Sequence, residues 1–301
     1  MLNLSGKKIL LSIHILLVGI WFGVCLGILA VLIFKPTIAG IGDYHILDKT
    51  IFYLFDTVVM NITIAVALTG LIFSMFTPWG FFRFHWIIVK WVAIILLAGI
   101  IIFLESPSIN GMAAVSDIFR EEIQNHPEYN GFVEGSFLYS SIQLFLLILI
   151  VIISVFKPWG HRKSTKVRKR KLIVSLGVVV GILLIVSMTV QYLQLEHYRK
   201  ITIKDVDLKV VKDGYYVGSA DFYFPYEVGI QIEDHQIKKI KILNNRSSFY
   251  ARLAEGITYK IVREQKINLD AVSGATTTSK ALMKAVESAL HTGYSDGNKN
   301  Q

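Results

Sequence analysis

The chain has 301 residues, 53% of them hydrophobic, with a formal net charge of +9 and a mean hydropathy of +0.53. That is too apolar for a water-soluble protein of ordinary composition. The basic residues lie beside apolar runs and no nucleic-acid motif accompanies them, so the charge reads as membrane topology and no nucleic-acid partner is expected. The single cysteine, Cys25, excludes an intramolecular disulfide and an iron–sulfur cluster held by this chain's own thiolates.

Five apolar runs are long enough to span ~30 Å of hydrocarbon, which takes about 20 residues. They are Ile9–Phe34, Ile51–Phe76, Trp86–Leu104, Phe137–Phe156 and Leu172–Leu193. The first follows Lys7 and Lys8 but is long for a signal peptide and lacks a clear cleavage site, so it is expected to be a retained span. The stretch between spans three and four is acidic, with Glu105, Asp117, Glu121, Glu122, Glu128 and Glu134 against Arg120. The stretch after span four holds Lys157, Arg162, Lys163, Lys166, Arg168, Lys169, Arg170 and Lys171. Positive residues stay inside. The expected topology in the cell membrane therefore has a cytoplasmic N-terminus, five spans, and everything after Leu193 outside.

Spans two and four end alike, in Ser74-Met75-Phe76-Thr77-Pro78-Trp79-Gly80 and Ser154-Val155-Phe156-Lys157-Pro158-Trp159-Gly160. Spans one and three also match, with His14 before Trp21 and His85 before Trp91. The pattern reads as a duplicated helix pair, a four-helix transmembrane bundle over residues 1–160 with approximate two-fold symmetry along the membrane normal. Histidines inside spans are costly. His14 and His85 read either as axial ligands of a b-type haem, as part of a quinone site, or as interfacial residues. Gly19, Gly23 and Gly27 form a small-residue stripe in span one that suits close helix packing. His14, Trp21 and Cys25 lie on the opposite face. Asp56 reads as the only carboxylate within a span, which weakens an ion-transport reading. His45, His126, His161 and His197 receive no role.

Residues 161–197 form the basic loop and fifth span. A strand-rich texture follows, expected to be a small α+β domain over residues 198–292 with a disordered tail at 293–301. Val206–Val211, Tyr215–Tyr223, Val228–Ile232 and Ile237–Leu243 alternate as strands. Asp213-Gly214 and Asp234-His235 mark turns, and Ser248–Glu255 and Thr258–Gln265 read as helices.

The last element opens on Asp270-Ala271-Val272-Ser273-Gly274-Ala275-Thr276-Thr277-Thr278-Ser279. Gly274 permits close backbone approach, and the hydroxyls suit a helix start. Ala281, Leu282, Ala285, Val286, Ala289 and Leu290 share one helical face. Hydroxyls and free N–H groups at the positive end of a helix make a phosphate site. This decapeptide resembles the flavinylation motif of the FMN-binding domain family, found in the covalent-flavin subunits of the sodium-translocating NADH:quinone reductase and the Rnf complex. The similarity reaches upstream through Asp213–Gly218, Ile237–Ile240 and Gln265 and does not cover the membrane part.

The resemblance implies covalent FMN, its phosphate esterified to Thr276 by a separate FMN transferase. Asp270, Ser273, Gly274 and Ala275 then fill the other motif positions, with Thr277 and Thr278 beside them. Tyr215, Tyr216, Phe222, Tyr223 and Tyr226 are candidates to stack on the flavin or to serve as core. Lys280 reads as a solvated helix residue. The expected function is electron transfer from a membrane donor, quinol or haem, through extracytoplasmic FMN to an outside acceptor. Both donor and acceptor are unidentified, and membrane lipid is the surrounding partner. The alternative is a membrane-anchored flavin-dependent redox sensor. No Gly-x-Gly-x-x-Gly fingerprint supports direct NADH oxidation.

Overall fold

The computed structural model describes residues 3–77, 80–159, 193, 195–222 and 224–295. Span five, most of the basic stretch, Pro78, Trp79, Gly160 and Tyr223 lie outside them. The chain divides into two compact units, one of residues 1–112 and 124–185, the other of residues 113–123 and 186–301.

The first unit is helical. α1 (Leu4–Ile38), α2 (Tyr44–Leu54), α3 (Met60–Phe76), α4 (His85–Ile100), α5 (Ser106–Phe119) and α6 (Pro127–Phe156) follow in order. Two π-helical segments, Phe55–Val59 and Ile101–Glu105, join α2 to α3 and α4 to α5. Four helical stretches among the described residues are long and apolar enough to cross a membrane: Leu4–Ile38, Ile41–Phe76, His85–Phe119 and Glu128–Phe156. They extend well past the apolar runs because polar residues there are paired inside the protein. Lys35, 2% exposed, bonds Asp48 at 2.6 Å and the Tyr129 hydroxyl at 2.8 Å. Tyr129 in turn donates to the other Asp48 oxygen at 2.7 Å. Both carboxylate oxygens are satisfied, as a buried pair requires if desolvation is to be offset. The triad ties the end of α1 to α2 and α6.

Glu105 overturns one expectation. It lies inside a membrane-length helix and is fully buried, whereas Asp56 is exposed. Its Oε1 accepts from Ser140 at 2.6 Å. With the Gln143 amide turned so that its nitrogen faces the carboxyl at 3.1 and 3.2 Å, the amide oxygen accepts from Trp21 Nε1 at 3.1 Å. The acid lies at the end of a π segment, where one inserted residue re-aims a side chain. On α1, Trp21, Cys25, Ile28, Leu29, Leu32 and Lys35 are buried. The opposite glycine stripe packs against nothing among the described residues, since a Cβ at Gly19, Gly23 or Gly27 would meet no atom within 4 Å.

The second unit holds an antiparallel meander of β1 (Gly214–Asp221), β2 (Pro225–Glu233) and β3 (Gln236–Asn244). α7 (Phe249–Ala254), α8 (Ile257–Glu264) and α9 (Thr276–Ser295) complete it. The apolar face of α9 is entirely buried, with Ala281, Leu282, Ala285, Val286, Ala289 and Leu290 all at 0% exposure. They pack with Val228, Ile230 and Ile232 of β2 in one core. β1 crosses α9 where Gly218 lies against the backbone of Ala285 and Ala289, leaving no room for a Cβ. Val206–Val211 is not a strand. The Asp207 side chain accepts from Lys209 N at 3.0 Å and caps a 3-10 turn, Leu208–Val210, in competition with a ladder.

Residues 113–123, expected as a loop between spans, belong to this unit's core. Ala114 and Ile118 are part of its buried cluster, and Ile118 fills the space above Gly256. Lys260 Nζ bonds Asp117 at 2.9 Å with both side chains 5% exposed. Arg263 donates to the Ile118 carbonyl at 2.7 Å. The expected domain bounds of 198–292 omitted this segment because its partners lie more than a hundred residues away.

Candidate functional site: the α9 N-terminus and a cavity in the bundle

The motif folds as a turn running into α9. Ala275 N donates to Val272 O at 3.0 Å, and Gly274 between them has φ +73°, a conformation that favours glycine. Ser279 N donates to Ala275 O at 2.9 Å, the first bond of the helix, while Ser279 Oγ accepts from Val272 N at 3.2 Å. The turn is thereby locked to the helix start. α9 begins at Thr276 itself.

Burial separates the hydroxyls. Thr277, Thr278 and Ser279 are 8%, 6% and 0% exposed, whereas Thr276 is only partly buried. Thr276 is thus the most open of the four hydroxyl residues at the start of α9. Ser273 is 5% exposed, and its Oγ is buried without a hydrogen-bond partner among the described residues. Such an atom costs free energy unless something bonds it. A phosphate ester at this helix end supplies acceptor oxygens, so the residues present fit FMN held by its phosphate. Asp270 is exposed and Lys280 half-buried.

The approach to the motif is held by Lys260 and Asp205, which the sequence did not single out, together with Gln265 and Asp213, which it did. Lys260 Nζ bonds the Asp270 carbonyl at 3.1 Å as well as Asp117. Asp205 Oδ1 accepts from Ile267 N at 2.8 Å and Asn268 N at 2.9 Å. Gln265, with φ +52°, exchanges bonds with both backbone groups of Ile237 at 2.9 Å, which ties α8 to β3. Asp213 closes the β2–β3 turn, accepting from Asp234 N at 2.9 Å and His235 N at 3.0 Å. Those two bonds hold its carboxyl below the usual range.

The aromatic candidates divide. Tyr226 is fully buried in the core. Tyr216 donates to Lys212 O at 2.8 Å and packs against Gly293. Phe222 stacks on Tyr198 at 4.9 Å. Tyr215 is exposed.

In the first unit a cavity of about 750 Å³ opens among α1, α3, α4 and α6. His14, Trp21, Trp86, Lys90 and Trp91 line it. His14 Nδ1 lies 2.6 Å from Thr69 Oγ1, and that hydroxyl has the Ala65 and Val66 carbonyls at 2.9 and 3.0 Å. The arrangement using both bonds has the hydroxyl donating into its own helix and Nδ1–H donating to it, leaving a lone pair on Nε2. His85 is exposed in the first turn of α4 and does not line the cavity. The structure does not bring the two histidines together there.

Comparison with known proteins agrees with the motif. Residues 224–291 match the FMN-binding domain family. No curated protein and no solved structure matches the chain. The C-terminal part is thus an FMN-binding domain and the chain a flavoprotein with several membrane-length helices. β1 and residues 113–123 lie outside the matched span yet belong to the same unit.

Proposed function

We propose that this chain is a membrane-anchored electron-transfer flavoprotein whose FMN is esterified to Thr276 by an FMN transferase and lies outside the cytoplasm. One observation carries the attachment: of the hydroxyls at the start of α9, Thr276 alone is open, beside a buried and unbonded Ser273 Oγ. Bound FMN supplies two-electron redox chemistry. The chain's own residues orient its phosphate: Gly274 turns the backbone, Ser279 locks the turn, and the α9 N-terminus faces negative charge. A covalent tether keeps a small cofactor from being lost to bulk water.

The bonds between Asp117 and Lys260 support the topology. Both ends of that pair lie on one side of a membrane only if an even number of crossings separates them. Glu128–Phe156 is long and apolar enough to be one crossing, and the fifth run expected from sequence, which lies outside the described residues, would be the other. The lysine- and arginine-rich stretch between those two then lies in the cytoplasm. The donor lies in the membrane, a quinol or a haem.

The test is expression with an FMN transferase followed by in-gel flavin fluorescence after denaturation. Thr276→Ala should abolish the band, and Thr276→Ser should retain it. Thr277→Ala and Thr278→Ala should leave it unchanged. Fluorescence surviving Thr276→Ala sinks the assignment.

A further inference from the structure

The cavity in the bundle carries polar groups that no described neighbour uses. His14 Nε2 has an unspent lone pair, set by the Nδ1 bond to Thr69. Lys90 projects over the Trp86 ring at 5.8 Å and has no ion pair among the described residues. No Asp or Glu among the described residues lines the cavity. Apart from Ser74, Ser154 and Lys157 the rest of the wall is apolar, with the three indoles Trp21, Trp86 and Trp91.

We propose that this cavity binds membrane quinol. A ligand that fits needs a flat aromatic head for the indoles and an apolar tail for the aliphatic walls. It also needs a hydrogen-bond donor for His14 Nε2 and an acceptor for Lys90. A quinol has all four: one hydroxyl donates to His14 and the second oxygen accepts from Lys90. An anionic lipid would satisfy Lys90 but offers no donor to His14 and no partner for the indoles. The proposal rests on the electron-transfer reading and supplies its donor. The net reaction, quinol and oxidised FMN to quinone and reduced FMN, balances with two electrons and two protons; because the cavity lies toward the cytoplasmic side of the proposed topology, a second membrane quinone carries the pair outward to the FMN. About 750 Å³ is ample for one head group and the start of its tail.

The experiment uses full-length flavinylated protein in detergent, titrated with menadione and decylubiquinone while tryptophan emission is followed. Saturable quenching is expected. Gly19 lines the cavity and a Cβ there meets nothing within 4 Å, so Gly19→Leu places a larger side chain at the cavity wall with room at its base. It should weaken binding by about tenfold or more, roughly the 1.4 kcal/mol that corresponds to a factor of ten. Gly23→Leu, equally unhindered on the same helix but outside the cavity lining, should not. His14→Gln should weaken the quinol forms more than the quinones.

Non-saturable quenching, or equal affinity in the Gly19→Leu and Gly23→Leu proteins, overturns the site. So does displacement of the quinone by phosphatidylglycerol with no effect of His14→Gln, which would make it a lipid site. Binding that follows this pattern without quinol bleaching the visible absorbance of the flavin leaves the site standing and removes quinol as donor from the proposed function. Thr276→Ala protein should bind quinone unchanged, since that residue is not in this unit.

Discussion

Ser273 separates a functional cost from a structural one. Its Oγ is buried and unbonded among the described residues, so Ser273→Ala removes an unsatisfied polar atom. The unflavinylated domain should keep its stability or gain up to about 1 kcal/mol, while the flavinylated fraction falls. Thermal unfolding and in-gel fluorescence on the same preparation check both halves. Asp213 behaves in the opposite sense. Its pKa is lowered from 3.8 by the backbone N–H groups of His235 and Asp234. The stabilisation is therefore fully present above the ordinary value and lost as pH falls through the lowered one. Acid unfolding of the wild type should show this dependence, and Asp213→Asn should flatten it. The motif was legible in sequence because its glycine, hydroxyls and helix periodicity are contiguous. The burial that singles out Thr276 was not, because it depends on how the turn closes over its neighbours.

Between elements, the tightest constraint is where β1 crosses α9. Gly218→Ala would drive a methyl into the Ala285 and Ala289 backbone. Overpacking of this kind costs about 1–3 kcal/mol, measurable as a lower denaturation midpoint, with no direct change at the motif. The Lys260–Asp117 pair gives a second test. Removing one partner, in Asp117→Leu, strands a buried ammonium and should cost about 3–5 kcal/mol, whereas Asp117→Leu with Lys260→Met should recover much of it. A double-mutant cycle by thermal unfolding of the full chain reads the coupling. Strands β1 to β3 and all three later helices were legible from alternation and helical spacing. Val206–Val211 alternates equally well and is not a strand, because Asp207 spends its carboxylate on the local backbone. The buried acids were misread for a related reason. Glu105, Asp48 and Asp117 look like loop residues until their partners, 35, 13 and 143 positions away, are known.

At the scale of the molecule, side is the testable property. The one native thiol, Cys25, is buried and hydrogen-bonded inside the bundle. A new exposed cysteine is therefore the only expected target of a membrane-impermeant reagent. Lys239→Cys, on the exposed face of β3, should label in intact cells. Ser5→Cys, exposed at the start of α1, should label only after lysis. Labelling of both, or of Ser5→Cys alone, overturns the topology. Four of the five apolar runs read from hydropathy are membrane-length helices, and the fifth lies outside the described residues. That the flavin domain recruits eleven residues from between two of them was not legible, since nothing local in 113–123 marks it as core.

That recruitment orders the protein's birth. Residues 113–123 leave the ribosome 62 residues (124–185) before the rest of the unit begins, an interval of roughly 3–12 s at the usual rates of synthesis. They reach their partners only if the helices on either side of them have been inserted in the correct sense. A chain inserted wrongly would present Lys260 without Asp117 and an Asp270 backbone without its clamp. Attachment of the flavin, coming last, would then report on membrane insertion as well as on the turn that accepts it.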